Sequence, residues 1–167
     1  MGIFDRLKKG ETKGNHKEID TAIVAMADGE LIDVSTVSDP VFAGKALGES
    51  VAFRYDGDQV TICAPAAGEL SVVFPTGHAF GIRMNNGVEL LVHIGINTVE
   101  VQGDGFDLCN KKQGDRVSRG DEIVSVNLKK LRDSYDMATM LIVTDANSQN
   151  ISFINPGEVQ KGQLIVK

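Results

Sequence analysis

The segment Phe74-Pro75-Thr76-Gly77-His78-Ala79-Phe80-Gly81-Ile82-Arg83-Met84-Asn85-Asn86-Gly87-Val88-Glu89-Leu90-Leu91-Val92-His93-Ile94-Gly95 reads as two strands joined by a tight turn. Asn86-Gly87 is a strong hairpin signal, because both residue types accept the backbone conformations that such turns require. Counting outward from the turn, partner numbers sum to 171 or 172 if there is no bulge. Arg83 then lies near Val88 or Glu89, and His93 lies opposite His78 or its neighbour. Two imidazoles from adjacent strands are expected to meet at one end of this hairpin.

Outward from the hairpin the same texture continues. Short runs rich in Val, Ile, Leu, Phe and Thr are separated by Gly, Asp, Asn and Pro, the pattern of an all-β sandwich or barrel. Expected strands are Ala22–Met26, Gly29–Ser35, Ser50–Tyr55, Gln59–Cys63, Gly68–Phe74, His78–Met84, Glu89–Ile94, Ile123–Asn127, Met140–Thr144 and Gln163–Lys167. One short helix is expected over Leu128–Tyr135, with Asn127 as its N-cap. The chain also repeats itself. The stretch from Ala25 to Val34 matches the stretch from Ala64 to Val73 at both Ala positions and at Gly, Glu, Leu and the final Val. A second pattern, Val-x-x-Gly-x-x-Leu/Ile, occurs at Val41/Gly44/Leu47, Val117/Gly120/Ile123 and Val159/Gly162/Ile165. Each of these glycines is expected at a strand corner with positive φ. The implied fold is an antiparallel β-sandwich of the barrel-sandwich hybrid type, built from related half-units with at most short helices.

Composition narrows the function classes. The chain has 167 residues and a formal charge of −6, which fits one domain and disfavours nonspecific binding to nucleic acid. Two cysteines, Cys63 and Cys109, are too few for a disulfide scaffold and lack Cys-x-x-Cys spacing, so the chain reads as cytoplasmic and without a local redox pair. No apolar run is long enough to span a membrane and no signal peptide follows the start. Residues 1–19 read as a flexible leader. Within it Ile3, Phe4 and Leu7 share helical spacing beside Arg6, Lys8 and Lys9. Two readings stay open there: a frayed terminus, or a short amphipathic helix making weak contact with the inner face of the membrane. Phosphate-cradling, dinucleotide-binding and nucleophile-elbow motifs are absent.

Chemistry therefore falls to the histidines. Only three exist, and His16 lies in the polar stretch within the leader. For His78 and His93 the plain alternative is a ring satisfied by a backbone carbonyl at a sheet edge. The apolar neighbours Leu90, Leu91, Val92 and Ile94 disfavour the imidazolium of His93 and leave a neutral lone pair, which suits a nucleophile or a metal ligand. Thr76, two residues before His78, can bond that ring and set its tautomer.

At these residues the sequence resembles the glucose-type enzyme IIA of the bacterial phosphoenolpyruvate-dependent sugar phosphotransferase system. The resemblance spans residues 20–167, the expected phosphocarrier domain. It is carried by Thr76-Gly77-His78-Ala79-Phe80 and by Gly87 through Val99, with support from Ala64-Pro65-Ala66-Ala67-Gly68 and Gly103-Asp104-Gly105-Phe106. It implies a phosphotransferase component that needs no bound cofactor. His93 would accept a phosphoryl group on Nε2 from phospho-HPr and pass it to a cysteine of a sugar-specific IIB domain. His78 would support the transfer by hydrogen bonding, with Thr76 orienting it. The resemblance also implies an apolar docking rim at Phe42, Phe74, Leu91 and Val99, although Leu91 and Val99 read equally as core. Asp39 occupies one of two acidic positions, and Asn97 replaces the acid common at the other, which puts docking of regulatory partners in doubt. Met26 replaces a proline common in the first Ala-rich motif. A zinc ion held by His78 and His93 together with a partner carboxylate is a further implication. The Met1 start and the leader favour a free-standing subunit.

Two other classes compete. A zinc metallopeptidase of lysostaphin-related β-fold lacks its His-x-His pair here, since Leu91 stands two positions before His93, and two histidines fall short of the usual ligand set. A biotinyl or lipoyl carrier would show a modified lysine at a hairpin tip, whereas this tip reads Met84-Asn85-Asn86-Gly87.

Overall fold

The computed structural model describes residues 19–167. The expected leader, apart from Ile19, lies outside the described residues. The described residues form eleven strands: β1 Gly29–Ile32, β2 Glu49–Arg54, β3 Gln59–Cys63, β4 Gly68–Val73, β5 Ala79–Met84, β6 Glu89–Ile94, β7 Phe106–Leu108, β8 Arg116–Val117, β9 Glu122–Asn127, β10 Thr139–Asp145 and β11 Gly157–Val159. Two short helices accompany them, α1 Pro40–Ala43 and α2 Leu128–Arg132, with 3-10 turns at Val34–Thr36 and Thr98–Val101. All pairings are antiparallel. The strands form an eight-stranded sheet ordered β11-β1-β2-β10-β6-β5-β4-β8 and a three-stranded sheet ordered β3-β9-β7. No helix among the described residues is long and apolar enough to cross a membrane.

The large sheet reads the same from either edge once β11, β1, β2 and β10 are matched to β8, β4, β5 and β6. The local repeats are the sequence trace of that symmetry. Gly29 pairs with Val159 and Glu30 with Arg54, while Gly68 pairs with Val117 and Glu69 with Arg83. The Gly162 amide donates to Ala25 O at 2.9 Å and the Gly120 amide to Ala64 O at 2.8 Å. The two half-units also exchange equivalent bonds, Val24 N to Pro65 O at 2.8 Å and Cys63 N to Met26 O at 3.1 Å. Gly120 and Gly162 have φ of 90° and 83°, as expected at corners. Gly44 does not: its φ is −84° and it closes α1. The Val41/Gly44/Leu47 match is therefore a coincidence of spacing, and Val41 and Leu47 face solvent while Val117, Ile123, Val159 and Ile165 are buried.

The main core fills the space between the sheets, where Phe53, Phe80, Ile82, Leu90, Val92 and Leu141 meet Ile62, Ile123, Val124 and Val126. A second apolar cluster lies on the other face of the large sheet, where Val34, Val37, Ala52, Ile96, Met140 and Ile142 are covered partly by Phe42 and Leu91. Strand β6 alternates strictly between these faces. Leu90, Val92 and Ile94 enter the core, and Leu91 and His93 point outward. The hairpin turn uses a three-residue loop, Asn85–Gly87: Gly87 N donates to Met84 O at 3.0 Å, Met84 N donates to Val88 O at 2.8 Å, and Gly87 takes φ 84°. That geometry selects the larger of the two expected sums and pairs Ala79 with His93 and Arg83 with Glu89.

Several expected boundaries change. Ala22–Met26 and Gln163–Lys167 make only isolated bridges, Val24 with Leu164 and Val166 with Phe153; the two segments bond each other through Ala25 N to Gln163 O at 2.8 Å and Ile165 N to Ile23 O at 3.0 Å, while Val24 N turns to Pro65 O. The strand expected over Gly29–Ser35 stops at Ile32, where Asp33 accepts from Ser35 N at 2.9 Å and starts a 3-10 turn. The helix expected to Tyr135 ends at Arg132, though Asn127 caps it by accepting from Lys130 N at 3.0 Å. Strands β7, β8 and β11 have too few residues to show a period in the sequence.

Among the described residues, one buried side-chain polar atom is left without a partner. The Tyr55 hydroxyl makes no hydrogen bond, and burial pushes its pKa well above the ordinary tyrosine value, with nearby Cys63 adding to the effect. Since an orphaned buried hydroxyl costs about 1–3 kcal/mol, Tyr55→Phe is expected to leave stability unchanged or raise it by about 1 kcal/mol in denaturant unfolding. A loss of that size would instead reveal a hydrogen bond at the hydroxyl.

Candidate functional site

The expected convergence of imidazoles occurs. His78, in the turn before β5, and His93, on the outer face of β6, stand edge to face with ring centroids 5.3 Å apart. The turn exists because Phe74 O accepts from Gly77 N at 2.8 Å and Gly77 takes φ 76°, with Phe106 Cβ so near that an added Cβ would lie 3.0 Å from it. Thr76 Oγ1 sits 2.6 Å from His78 Nδ1. His93 Nδ1 lies 2.8 Å from Gly95 O and donates to it, since a carbonyl only accepts. The His93 proton therefore resides on Nδ1, and Nε2 carries the free lone pair.

Gly95 can present its carbonyl in this way because it adopts φ 78°, and a Cβ there would lie 2.5 Å from Thr98 Cγ2. Buried Thr98 in turn donates from Oγ1 to Ile94 O at 2.5 Å. The loop after His93 is thus held closely enough to act as a fixed acceptor.

The apolar setting of His93 differs from the one inferred from its sequence neighbours. Leu90, Val92 and Ile94 lie on the opposite face of the strand, so of those four only Leu91 shares its side. The wall comes from elsewhere: Phe42 packs against the ring at a 46° tilt with 4.9 Å between centroids, and Met140 is the cross-strand partner on β10. Phe74, 40% exposed, plays the matching part for His78 at 5.1 Å. His78 is only 4% exposed. Burial lowers the pKa of both rings below the ordinary value near 6.5. For His93 the bond to Gly95 and the charge of Asp39 oppose that shift, while His78 reinforces it.

Asp39 has a role that sequence reading missed. It caps α1, its Oδ1 accepting from Val41 N at 2.8 Å and Phe42 N at 3.3 Å, with Pro40 at the first helical position. This four-residue helix is what lays Phe42 against His93. The pair Asp39-Pro40 was the available signal, since an N-cap followed by Pro marks a helix start. Leu91 belongs to the outer apolar cluster, whereas Val99 is 54% exposed on the turn Thr98–Val101 and Val41 on α1 is also exposed. Asn97 occupies the left-handed region at φ 61°, a conformation asparagine tolerates well. Among the described residues no group of three or more His, Cys, Asp or Glu converges as metal ligands, so the histidine pair supplies at most part of a tetrahedral set.

Comparison with known proteins identifies the family and agrees with the fold. Residues 21–149 match the family described as phosphoenolpyruvate-dependent sugar phosphotransferase system, EIIA 1. A glucose-specific EIIA component of Staphylococcus aureus (strain COL) is 36% identical over 161 residues, 95% of each chain. A glucose-specific EIIA component of Haemophilus influenzae is 35% identical over 168 residues, 99% of this chain and 97% of that one. A glucoside-specific EIICBA component of Staphylococcus carnosus is 34% identical over 145 residues, and the chain spans only 20% of its length. The solved structure of glucose permease IIA from Mycoplasma capricolum has a TM-score of 0.81 at 33% identity, covering 89% of this chain and 96% of that one. Nothing in these comparisons supports a metallopeptidase.

The lowered histidine pKa values have a readable consequence. Both rings are expected to titrate below the ordinary histidine value, which an NMR titration checks. Because the unfolded chain then binds protons that the folded one refuses, their contribution to stability is intact above pH 6.5 and is lost as pH falls through the folded values.

Proposed function

The chain belongs to the phosphoenolpyruvate-dependent sugar phosphotransferase system EIIA 1 family and is a phosphocarrier of sugar uptake; from that premise we propose that His93 Nε2 is the atom that carries the phosphoryl group. The observation behind this assignment is the 2.8 Å bond from His93 Nδ1 to Gly95 O. It leaves the outward nitrogen unprotonated, so no base is required before attack.

In this reading the donor is the phosphohistidine of HPr. The His93 lone pair attacks phosphorus, the donor N–P bond breaks, and its electron pair returns to the donor ring. The Nδ1 proton stays in place and keeps its bond to Gly95 while the new N–P bond exists. A cysteine thiolate of a IIB domain then attacks the same phosphorus and returns the lone pair to His93. The transition state spreads charge over the phosphoryl oxygens, and the protein contributes position and hydrogen-bond donors. His78 supplies one donor: when the Thr76 hydroxyl donates to Nδ1, the His78 proton must sit on Nε2 and can be offered to a phosphoryl oxygen. Phe42 and Phe74 shield the pair from water, which protects a labile N–P bond.

Docking of both partners would use the apolar rim of Phe42, Phe74 and Val99, with Val41 added to it. Leu91 contributes beneath that rim rather than on it. Since Asp39 already accepts two backbone N–H groups and Asn97 is neutral, regulatory partners that need two carboxylates find fewer here. Zinc shared with a partner carboxylate would occupy the same nitrogens, His93 as it stands and His78 once Thr76 accepts from Nδ1 instead. The carrier works in the cytoplasm, with residues 20–167 as the phosphocarrier domain.

Incubation with phosphoenolpyruvate, enzyme I and HPr is expected to place acid-labile, base-stable phosphate on the chain, and His93→Gln is expected to abolish it. Label persisting in that variant overturns the assignment. His78→Gln is expected to accept phosphate but deliver it to IIB at least about 100-fold more slowly, the scale of losing one preorganised donor. Delivery at the normal rate would remove His78 from the mechanism.

A further inference from the structure

Asp136 lies outside the histidine pair yet touches both segments that shape it. Its Oδ2 accepts from Ser38 Oγ at 3.1 Å, and Ser38 directly precedes Asp39, the cap of the helix bearing Phe42. Its Oδ1 accepts from Arg54 Nη1 and from Ala138 N, each at 3.1 Å. The loop that Asp136 closes on itself through Ala138 then grips the peptide groups after His93. Asp136 O accepts from Ile96 N at 2.8 Å, and Ala138 O accepts from Gly95 N at 2.9 Å. Gly95 is the residue whose carbonyl holds His93 Nδ1. Burial opposes ionisation of Asp136, but the Ala138 amide, Arg54 and Ser38 outweigh it and keep the carboxyl below its ordinary value.

We propose that Asp136 is a positioning residue for phosphoryl transfer: one carboxylate fixes the 136–138 bracket that aims the Gly95 carbonyl at His93 Nδ1, and through Ser38 anchors the segment that brings Phe42 to the other side of the ring. The geometry makes this more than general support. A neutral imidazole holds its proton on either nitrogen, and the side facing the strongest fixed acceptor wins. If the Gly95 carbonyl swings away, part of the His93 population moves its proton to Nε2 and loses the lone pair that must attack phosphorus. A loose Phe42 admits water to the same nitrogen. Exposed ion pairs contribute little by themselves, so the Arg54 contact is the least consequential of the set. The bonds to Ala138 and Ser38 carry the effect.

The inference rests on the phosphocarrier reading for its kinetic consequence, but its structural half is tested without any donor. In the full chain with 15N-labelled histidine, the wild type should show His93 protonated on Nδ1 with a pyridine-like Nε2. Asp136→Ala should show a mixture of tautomers and accept phosphate from phospho-HPr about 10-fold more slowly, with a cooperative unfolding transition retained. Asp136→Asn keeps an oxygen acceptor for Ala138 N and should recover most of the rate. A wild-type nitrogen signature together with a rate within about 2-fold in Asp136→Ala would overturn the proposal. If Asp136→Ala does not fold, Ser38→Ala removes the hydroxyl contact while the Ser38 amide keeps its 3.4 Å bond to Oδ2; it should accept phosphate about 3-fold more slowly, an unchanged rate together with an unchanged His93 nitrogen signature overturning the proposal. Should the wild type accept no phosphate at all, the phosphocarrier assignment of His93 fails, while the nitrogen signature still decides the role of Asp136.

Discussion

The register of one hairpin governs the whole site. The Asn85–Gly87 loop pairs Ala79 with His93, and the alternation of β6 places His93 on the outer face beside Leu91 while Leu90, Val92 and Ile94 build the core. A slip of one residue would turn every side chain of the strand over, driving an imidazole into the space between the sheets and three aliphatic chains into solvent. Burial of those aliphatic chains is therefore what holds the His93 ring on the outer face. The stability of the core and the placement of that imidazole are two consequences of one period-two constraint.

The near-symmetric sheet explains where the site sits and why there is one. The pairing of β10 with β6 runs through the middle of the sheet, with Met140 opposite His93 and Ile142 opposite Leu91. Symmetry matches His93 to Ile142 and the start of β5 to the start of β2, where Glu49 bonds Lys45 and no histidine occurs. The duplicated frame supplies two equivalent outer patches. The histidine pair lies in only one, and the other helps to build its wall, since Met140 and Ile142 join the apolar cluster under Phe42.

Much of this was legible in sequence because it depends on local rules. The hairpin, the half-unit repeats, the Asn127 cap and the Thr76–His78 contact all follow from residues within a few positions of one another. The Val41/Gly44/Leu47 match is no corner, because spacing alone cannot tell a strand corner from the end of a short helix, and Gly44 closes α1. The surroundings of His93 were misread in detail because neighbours along a strand face opposite sides. Phe42 and Met140 reach the ring from 51 and 47 positions away in the chain, and nothing in the local sequence announces them.

By itself, then, the sequence determined an antiparallel β-fold from related halves, the pairing of two scarce histidines, and a hydroxyl beside one of them, since turn chemistry and residue period act over short range. Only the tertiary structure decided which nitrogen of His93 is free, which apolar side chains enclose it, and that Asp39 and Asp136 organise its surroundings. Those features rest on a backbone carbonyl at Gly95 and on contacts between distant loops. A carbonyl is common to every residue, so its direction becomes chemistry only when the folded chain points it at a ring.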